Sequence, residues 1–240
     1  PTLHHDVSPL LEGLSKCEAT DAIEVIVYDD GSRDHDLLAR MQANAGHANA
    51  AVRIVSAHRN KGRAAARNAA IAHARADWIL MVDADMTPDT PVFLQAYLDA
   101  IDHAGRPSII VGGYSLLSAP NDRAYALHRW QARKSECIPA TERSKAPSRY
   151  VFSSNVLVHR AVLDACPFDE NFTGWGWEDT DWGLNAQKRF PILHIDNTAT
   201  HLGLDSAKQL MSKYARSGAN FARMAARHPE DAAAMPLFRM

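Results

Sequence analysis

WILMVDADM (residues 78–86) is a continuous apolar run that passes directly into Asp83-Ala84-Asp85. A short apolar run stopped by acids reads as a buried strand ending at a polar edge. Alternate positions at such an edge can turn two carboxylates toward one cation, and oxygen donors suit Mg²⁺ or Mn²⁺ bridging to phosphate oxygens. Asp-x-Asp also occurs at Asp34/Asp36 and Asp179/Asp181, but only the 83/85 copy follows an apolar strand. The plain alternative for each copy is a solvated turn or a helix cap.

Outward from this strand the pattern repeats. IEVIVY (23–28) ends in Asp29-Asp30-Gly31-Ser32, and VRIV (52–55) is a further short strand. Residues 63–76 are rich in Ala and Arg and favour a helix. Thr87-Pro88-Asp89 carries N-cap, first-turn Pro and first-turn acid signals. Phe93, Ala96, Tyr97, Ala100 and Ile101 then recur at helical spacing, and Gly105 marks an end. Residues 108–111, 151–159 and 192–195 read as strands. Residues 204–226 read as one helix after a cap at Asp205. Strands alternating with helices predict an α/β sandwich with a largely parallel sheet. In such sheets ligands sit at the carboxyl ends of strands, where Asp29-Asp30 and Asp83/Asp85 both fall.

Composition narrows the class. The 240 residues are 46% hydrophobic and 22% charged, which excludes wholesale disorder. With 26 basic against 28 acidic residues the net charge is −2, which argues against a nucleic-acid partner. Cys17, Cys137 and Cys166 are too scattered for a disulfide framework or a zinc cluster and read as buried thiols of a reducing compartment. No run reaches the roughly 18 apolar residues of a membrane span.

Three further strings carry chemistry. Asn60-Lys61-Gly62-Arg63 opens the Ala-rich helix, and a helix N-terminus with Arg63 and Arg67 one turn apart suits an anionic partner. Gly174-Trp175-Gly176-Trp177-Glu178-Asp179 sets two aromatic platforms for sugar faces beside a candidate general base; the alternative is core tryptophans and capping acids. Arg123, Arg129, Arg133, Lys134, Arg143, Lys145 and Arg149 form a basic segment, read either as a lid over an anionic group or as a solvated face.

In this order, Pro1-Thr2, YDDGS (28–32), NKGRAAARNAAI (60–71), WILMVDADM (78–86), FSSN (152–155), FDENFTGWGWED (168–179) and His201 resemble a family 2 glycosyltransferase of the GT-A fold. The carboxyl half resembles the galactosyltransferase-type segment of β-1,4-galactosyltransferases and bacterial chondroitin-polymerase-like enzymes. The resemblance implies one GT-A domain over residues 1–240, an α/β/α sandwich with a mostly parallel mixed sheet. Residues 1–115 would bind the nucleotide sugar; residues 116–240 would bind the acceptor and end in a helix. It implies inverting transfer from a nucleotide sugar, a UDP-sugar in the first instance, to a carbohydrate or glycan hydroxyl. Asp29 or Asp30 would contact the base, Thr2 with Asn60, Gly62 and Arg63 would frame the nucleotide, and Asp83 would lie near the ribose. Asp85 and His201 would bind the metal, Mn²⁺ favoured over Mg²⁺. Asp179 would be the base, with Glu178, Trp175, Trp177 and Asn155 toward the acceptor.

Family members carry a hydrophobic strand immediately before the Pro-Thr pair, so residues ahead of Pro1 are expected to supply it. The Gln-x-x-Arg-Trp motif of processive membrane synthases is not reproduced: Arg129-Trp130 has Ala126 in place of Gln and precedes the Glu-Asp pair. A bacterial cytoplasmic enzyme, working at or near the inner membrane face as a peripheral protein, is the expected setting. Two rivals remain. A non-catalytic nucleotide- or carbohydrate-binding relative would lack either the metal acids or the base. A nucleotidyltransferase would carry a Gly-rich, Lys-bearing loop after its first strand.

Overall fold

The apolar runs become the strands, and what lies between them becomes the helices that cover both sheet faces. The structure, a computed structural model, describes residues 1–45 and 50–235. The elements run α1 Ser8–Ser15, β1 Glu24–Asp29, α2 His35–Ala45, β2 Ala51–Ser56, α3 Arg63–His73, β3 Trp78–Val82, β4 Met86–Pro88, α4 Phe93–Ala104, β5 Ile109–Val111 and β6 Tyr114–Ser115. They continue as α5 Ala126–Ser135, α6 Ala140–Arg143, β7 Asn155–His159, α7 Arg160–Ala165, α8 Glu178–Ala186, β8 Ile192–His194, β9 Ala199–His201, α9 Ala207–Arg216, α10 Gly218–Arg227 and α11 Pro229–Ala234.

The strands form a parallel pair β1-β2, a mixed sheet β3-β7-β5-β8 and a small mixed sheet β4-β9-β6. The period-2 rule of strands splits the core into two sides. Ile109, Val111, Val156 and Val158 face a cluster with Val162 of α7 and Trp182 of α8. Their neighbours Ile110 and Leu157 face the opposite cluster, with Leu10 of α1 and Phe93 and Tyr97 of α4. The result is the three-layer α/β/α sandwich that the strand–helix alternation predicts.

Two local expectations are corrected. Thr87-Pro88 is not a helix start: Met86–Pro88 forms β4, antiparallel to β9, and α4 begins only at Phe93. The partner that makes it a strand lies far along the chain, and Asp89 locks the pairing by accepting from the hydroxyls of Thr198 and Thr200 at 2.6 Å each. Residues 204–226 are not one helix either. The buried Ser217 separates α9 from α10, and the cap of α9 is Ser206 in a capping box with Gln209, while Asp205 pairs with Lys213 at 2.5 Å. The Gly105 stop is as read, with a left-handed φ of 62°. Cys17, Cys137 and Cys166 are free thiols. Among the described residues no helix is long and apolar enough to cross a membrane.

β1 and β3 each use one edge in a ladder, and their other edges line a common apolar slot of about 380 Å³. Leu14, Leu94 and Tyr97 close it on one side and Ala70 and Ile71 of α3 on the other. At its mouth Thr2 already pairs with β1 in parallel: its N–H donates to Tyr28 O at 2.7 Å and its carbonyl accepts from Asp30 N–H at 2.8 Å. Buried backbone edges need partners. An apolar, β-branched segment joined ahead of Pro1 is therefore expected to run parallel to β1 through the slot and raise the melting temperature. An unchanged melting temperature would show that the slot takes no strand.

Candidate active site

The acids that follow β1 and β3 are each tied into the surrounding loops and side chains. Beyond β1, Asp29 accepts from Ser32 N–H through both carboxylate oxygens at 3.1 and 3.2 Å. Asp30 accepts from the backbone N–H groups of Lys61 and Gly62 at 3.0 Å each, which ties the loop ahead of α3 to the end of β1. Gly31 is obligatory there: its φ is 86°, and a Cβ would come within 2.6 Å of the Arg59 backbone. Gly62, at φ 92°, is the N-cap residue of α3, and the Asn60 side chain accepts from its N–H at 2.9 Å. Arg63 is exposed at the first turn of that helix. Thr2, Asp29, Asp30, Asn60, Gly62 and Arg63 are thus assembled at one edge, with Asp29 and Asp30 buried as anchors of the loops that shape it.

Asp85 lies one loop further on, its Oδ2 3.3 Å from His201 Nε2 of β9. Burial would raise the Asp85 pKa, but the adjacent imidazole outweighs it and brings the carboxyl down to about 2. Burial likewise depresses His201, and Asp85 more than reverses that, so its pKa is raised. The backbone folds closely over this pair: Leu202 N–H donates to Asp85 O at 2.8 Å, and a Cβ on Gly203 would lie 2.0 Å from Asp85 Oδ2. His201 Nδ1 is buried and has no hydrogen-bond partner. A carboxylate and an imidazole side by side are donors that could hold a Mn²⁺ or Mg²⁺ ion. Among the described residues no group of three His, Cys, Asp or Glu side chains is gathered to hold a metal by itself.

Arg67 joins the two halves of the chain. Its guanidinium, 3% exposed, sits on α3 between Glu178 at 3.1 Å, Asp179 at 3.3 Å and Asp83 at 3.7 Å. Burial opposes its charge, but the carboxylates of Asp179, Asp83 and Glu178 outweigh it and raise its pKa. Asp179 lies in the first turn of α8 and is held by Ser153, whose N–H donates to Oδ2 at 3.1 Å and whose hydroxyl donates to Oδ1 at 2.8 Å. Burial raises the Asp179 pKa, Arg67 pulls against it, and the neighbouring Glu178 carboxylate adds to the rise. Next along the chain, Ser154 O accepts from Asp83 N–H at 3.2 Å. The segment ahead of β7 therefore holds Asp179 through Ser153 and Asp83 through Ser154.

The remaining candidates fall into two groups. The Trp175 ring stands edge-on to Tyr214, 5.2 Å between centroids, while Trp177, at φ 74°, lies on Phe221 in the cluster around Phe172 and Met224. Asn220 fixes their loop by donating to the carbonyls of Thr173 and Gly176 at 2.9 and 3.0 Å. Asn155 is 1% exposed and its amide is committed internally: it accepts from Tyr97 OH at 2.7 Å and donates to Gly113 O and Asn197 O. It is a knot between strands. Within the basic segment, Arg143 is likewise buried, bonded to the carbonyls of Val111, Gly112, Ile138 and Ile195, so it is no part of a lid. Asp181 is bound by Arg227 at 2.8 Å and His228 at 3.1 Å and serves the packing of α8.

The sequence offers no specific role for Ser153, and it reads Arg67 with Arg63 as facing an anionic partner, whereas Arg67 is buried among three carboxylates of the chain itself. The signal for Arg67 was available: it follows three alanines, a helix face small enough for close packing. Removing one partner of a buried ion cluster strands the others. Arg67→Met is expected to cost about 3–5 kcal/mol of unfolding free energy, measured by denaturant titration. A cost within about 0.5 kcal/mol, the level of a neutral surface change, would contradict the hub assignment.

Known proteins resemble the chain in family profile and in fold. The profile of Glycosyl transferase family 2 matches residues 7–164. No curated protein matches the chain. Among solved structures it is similar to glucosyl-3-phosphoglycerate synthase from Mycobacterium tuberculosis, solved with Mn²⁺, UDP and glucosyl-3-phosphoglycerate (TM-score 0.63, 17% identity, 93% of this chain and 77% of that one). It is also similar to a mannosyltransferase from Pyrobaculum calidifontis in complex with GDP-Man and Mn²⁺ (TM-score 0.61, 18% identity, 93% and 61%). A third is S. aureus TarS 1–349 (TM-score 0.58, 14% identity, 91% of this chain and 63% of that one), so the chain spans less than two thirds of that structure. At these identities the structural likeness speaks for the GT-A fold alone, while the profile covers most of the chain: the protein belongs to glycosyl transferase family 2.

Proposed function

We propose that the chain transfers a sugar from a nucleotide sugar, a UDP-sugar in the first instance, to a hydroxyl of a carbohydrate acceptor with inversion at the anomeric carbon. The observation that carries this reading is the Arg67 cluster, which sets the strand-end acid Asp83 and the Glu178-Asp179 pair around one guanidinium. Structures solved with UDP and with UDP-GlcNAc among the similar folds support the choice of UDP, and two solved with Mn²⁺ support the metal.

In this reading the edge built from Thr2, Asp29, Asp30, Asn60, Gly62 and Arg63 frames the nucleotide, with Asp83 toward the ribose. Asp85 and His201 would hold the divalent ion, which supplies neutralisation of the leaving diphosphate when bound. Asp179 takes the proton from the acceptor hydroxyl as that oxygen forms its bond to the anomeric carbon. The bond from that carbon to the diphosphate oxygen breaks on the opposite face, and its electron pair leaves with UDP. Ser153 fixes both oxygens of the base, and Arg67 keeps an attraction for the carboxylate form against burial. Trp175 offers a ring face toward an acceptor sugar, and Glu178 lies beside it. Trp177 works from behind, anchoring the loop on the α10 core.

Asp179→Asn is expected to retain UDP binding and lose transfer by a factor of about 10² or more, the ordinary contribution of a positioned base. Full activity in that variant would remove Asp179 as the base. The raised Asp179 pKa also sets a sign. The base works deprotonated, so the acid limb of kcat/KM should lie above the usual carboxylate range. Glu178→Gln removes a neighbouring negative charge and should shift that limb to lower pH. A limb that stays in place would show that Asp179 does not titrate in it.

A further inference from the structure

The reading above leaves unused an exposed apolar surface on α5 and α9. Five of the large apolar side chains exposed among the described residues lie on or beside α5 and α9: Leu117, Leu127, Trp130, Met211 and Tyr214. Trp130 is 62% exposed and Met211 64%, so neither is a core residue with a loose edge. Helical spacing makes them one surface. Leu127, Trp130, Gln131 and Lys134 share a face of α5, and Met211 and Tyr214 share a face of α9. Gln131 donates to Tyr214 OH at 2.6 Å and joins the two faces. The loop carrying Leu117 is tied to α5 through Arg129, which donates to the carbonyls of Ala119 and Pro120.

Charge distinguishes this surface from an ordinary exposed patch. Neither α5 nor α9 contains an acid, although the whole chain has a net charge of −2. Lys134 lies one turn from Trp130, Lys208 one turn from Met211, and Arg123 and Arg133 flank the α5 face, all exposed. None of these four forms an ion pair among the described residues. Lys213, by contrast, is paired with Asp205. Tryptophan, tyrosine, leucine and methionine ringed by unpaired Lys and Arg match the layering of a bilayer boundary: apolar groups at the acyl edge, cations at anionic headgroups.

We infer that the α5–α9 face docks peripherally on an anionic phospholipid surface. This goes beyond the transfer reaction and does not depend on it. Trp175 packs against Tyr214 of the same face, so docking would hold the Gly174–Trp177 loop close to the headgroups.

The test is co-sedimentation of the intact chain with vesicles of phosphatidylcholine alone and of phosphatidylcholine mixed with phosphatidylglycerol, at low and at raised salt. The protein should pellet with the anionic vesicles and remain in solution with the neutral ones. Leu127→Ser combined with Trp130→Ser, and separately Arg133→Glu combined with Lys134→Glu, should each weaken partitioning by about tenfold or more. Val92→Ser combined with Leu193→Ser, exposed apolar positions elsewhere, should leave it unchanged. Circular dichroism on each variant verifies that the fold is kept. Wild type that stays in solution with anionic vesicles overturns the inference. So does pelleting that the α5 variants do not reduce, or equal pelleting with neutral vesicles. A dimer seen by light scattering that Leu127→Ser and Trp130→Ser disperse, without vesicle binding, overturns it in favour of a protein interface.

Discussion

Arg67 is the constraint around which the site is arranged. A guanidinium this deeply buried must be surrounded by negative charge, because desolvation without compensation would cost more than the fold has to spare. The chain meets that requirement with Asp83 from the end of β3 and Glu178 and Asp179 from the start of α8. Ala64, Ala65 and Ala66 keep the preceding turn of α3 small and buried, which lets the helix approach closely enough for the side chain to reach all three acids. The same charges that keep Arg67 cationic decide how strongly Asp179 holds its proton.

Around this cluster backbone groups help to hold the acids. Asp30 bonds the loop before α3, Ser154 O bonds Asp83, and Leu202 N–H bonds Asp85 O. Gly31 and Gly203 stand where a Cβ would collide with a neighbouring backbone or with the Asp85 carboxylate itself. Such an arrangement positions charged groups before any ligand arrives, which is how electrostatic stabilisation of a leaving group avoids reorganisation during reaction.

What the amino-acid sequence discloses follows from the range of the interactions involved. β1 and β3 are legible because apolar runs ending in acids carry their own signal, and Gly105 because a left-handed stop needs no partner. β4 is not, since its strand character comes from β9, and the nearby Thr-Pro-Asp mimics a helix cap. The break at Ser217 is hidden because the apolar periodicity continues through it, while the turn serves contacts of Asn220 and Phe221 with the Trp loop. In the site, the gathering of Asp83 and Asp179 follows what the family resemblance implies. The commitment of Asn155 to Tyr97, Gly113 and Asn197 is not, because an asparagine looks the same in sequence whether it meets a ligand or ties three loops together.

The central claim is that the strand-end acids form a metal-dependent nucleoside-diphosphate site. Calorimetric titration of UDP, with and without Mn²⁺, on the wild type and on Asp85→Ala tests it most directly. Mn²⁺-dependent binding that the substitution abolishes is the expected result. Binding of the same strength in both proteins, with or without Mn²⁺, would contradict the assignment of Asp85 and with it the donor half of the site.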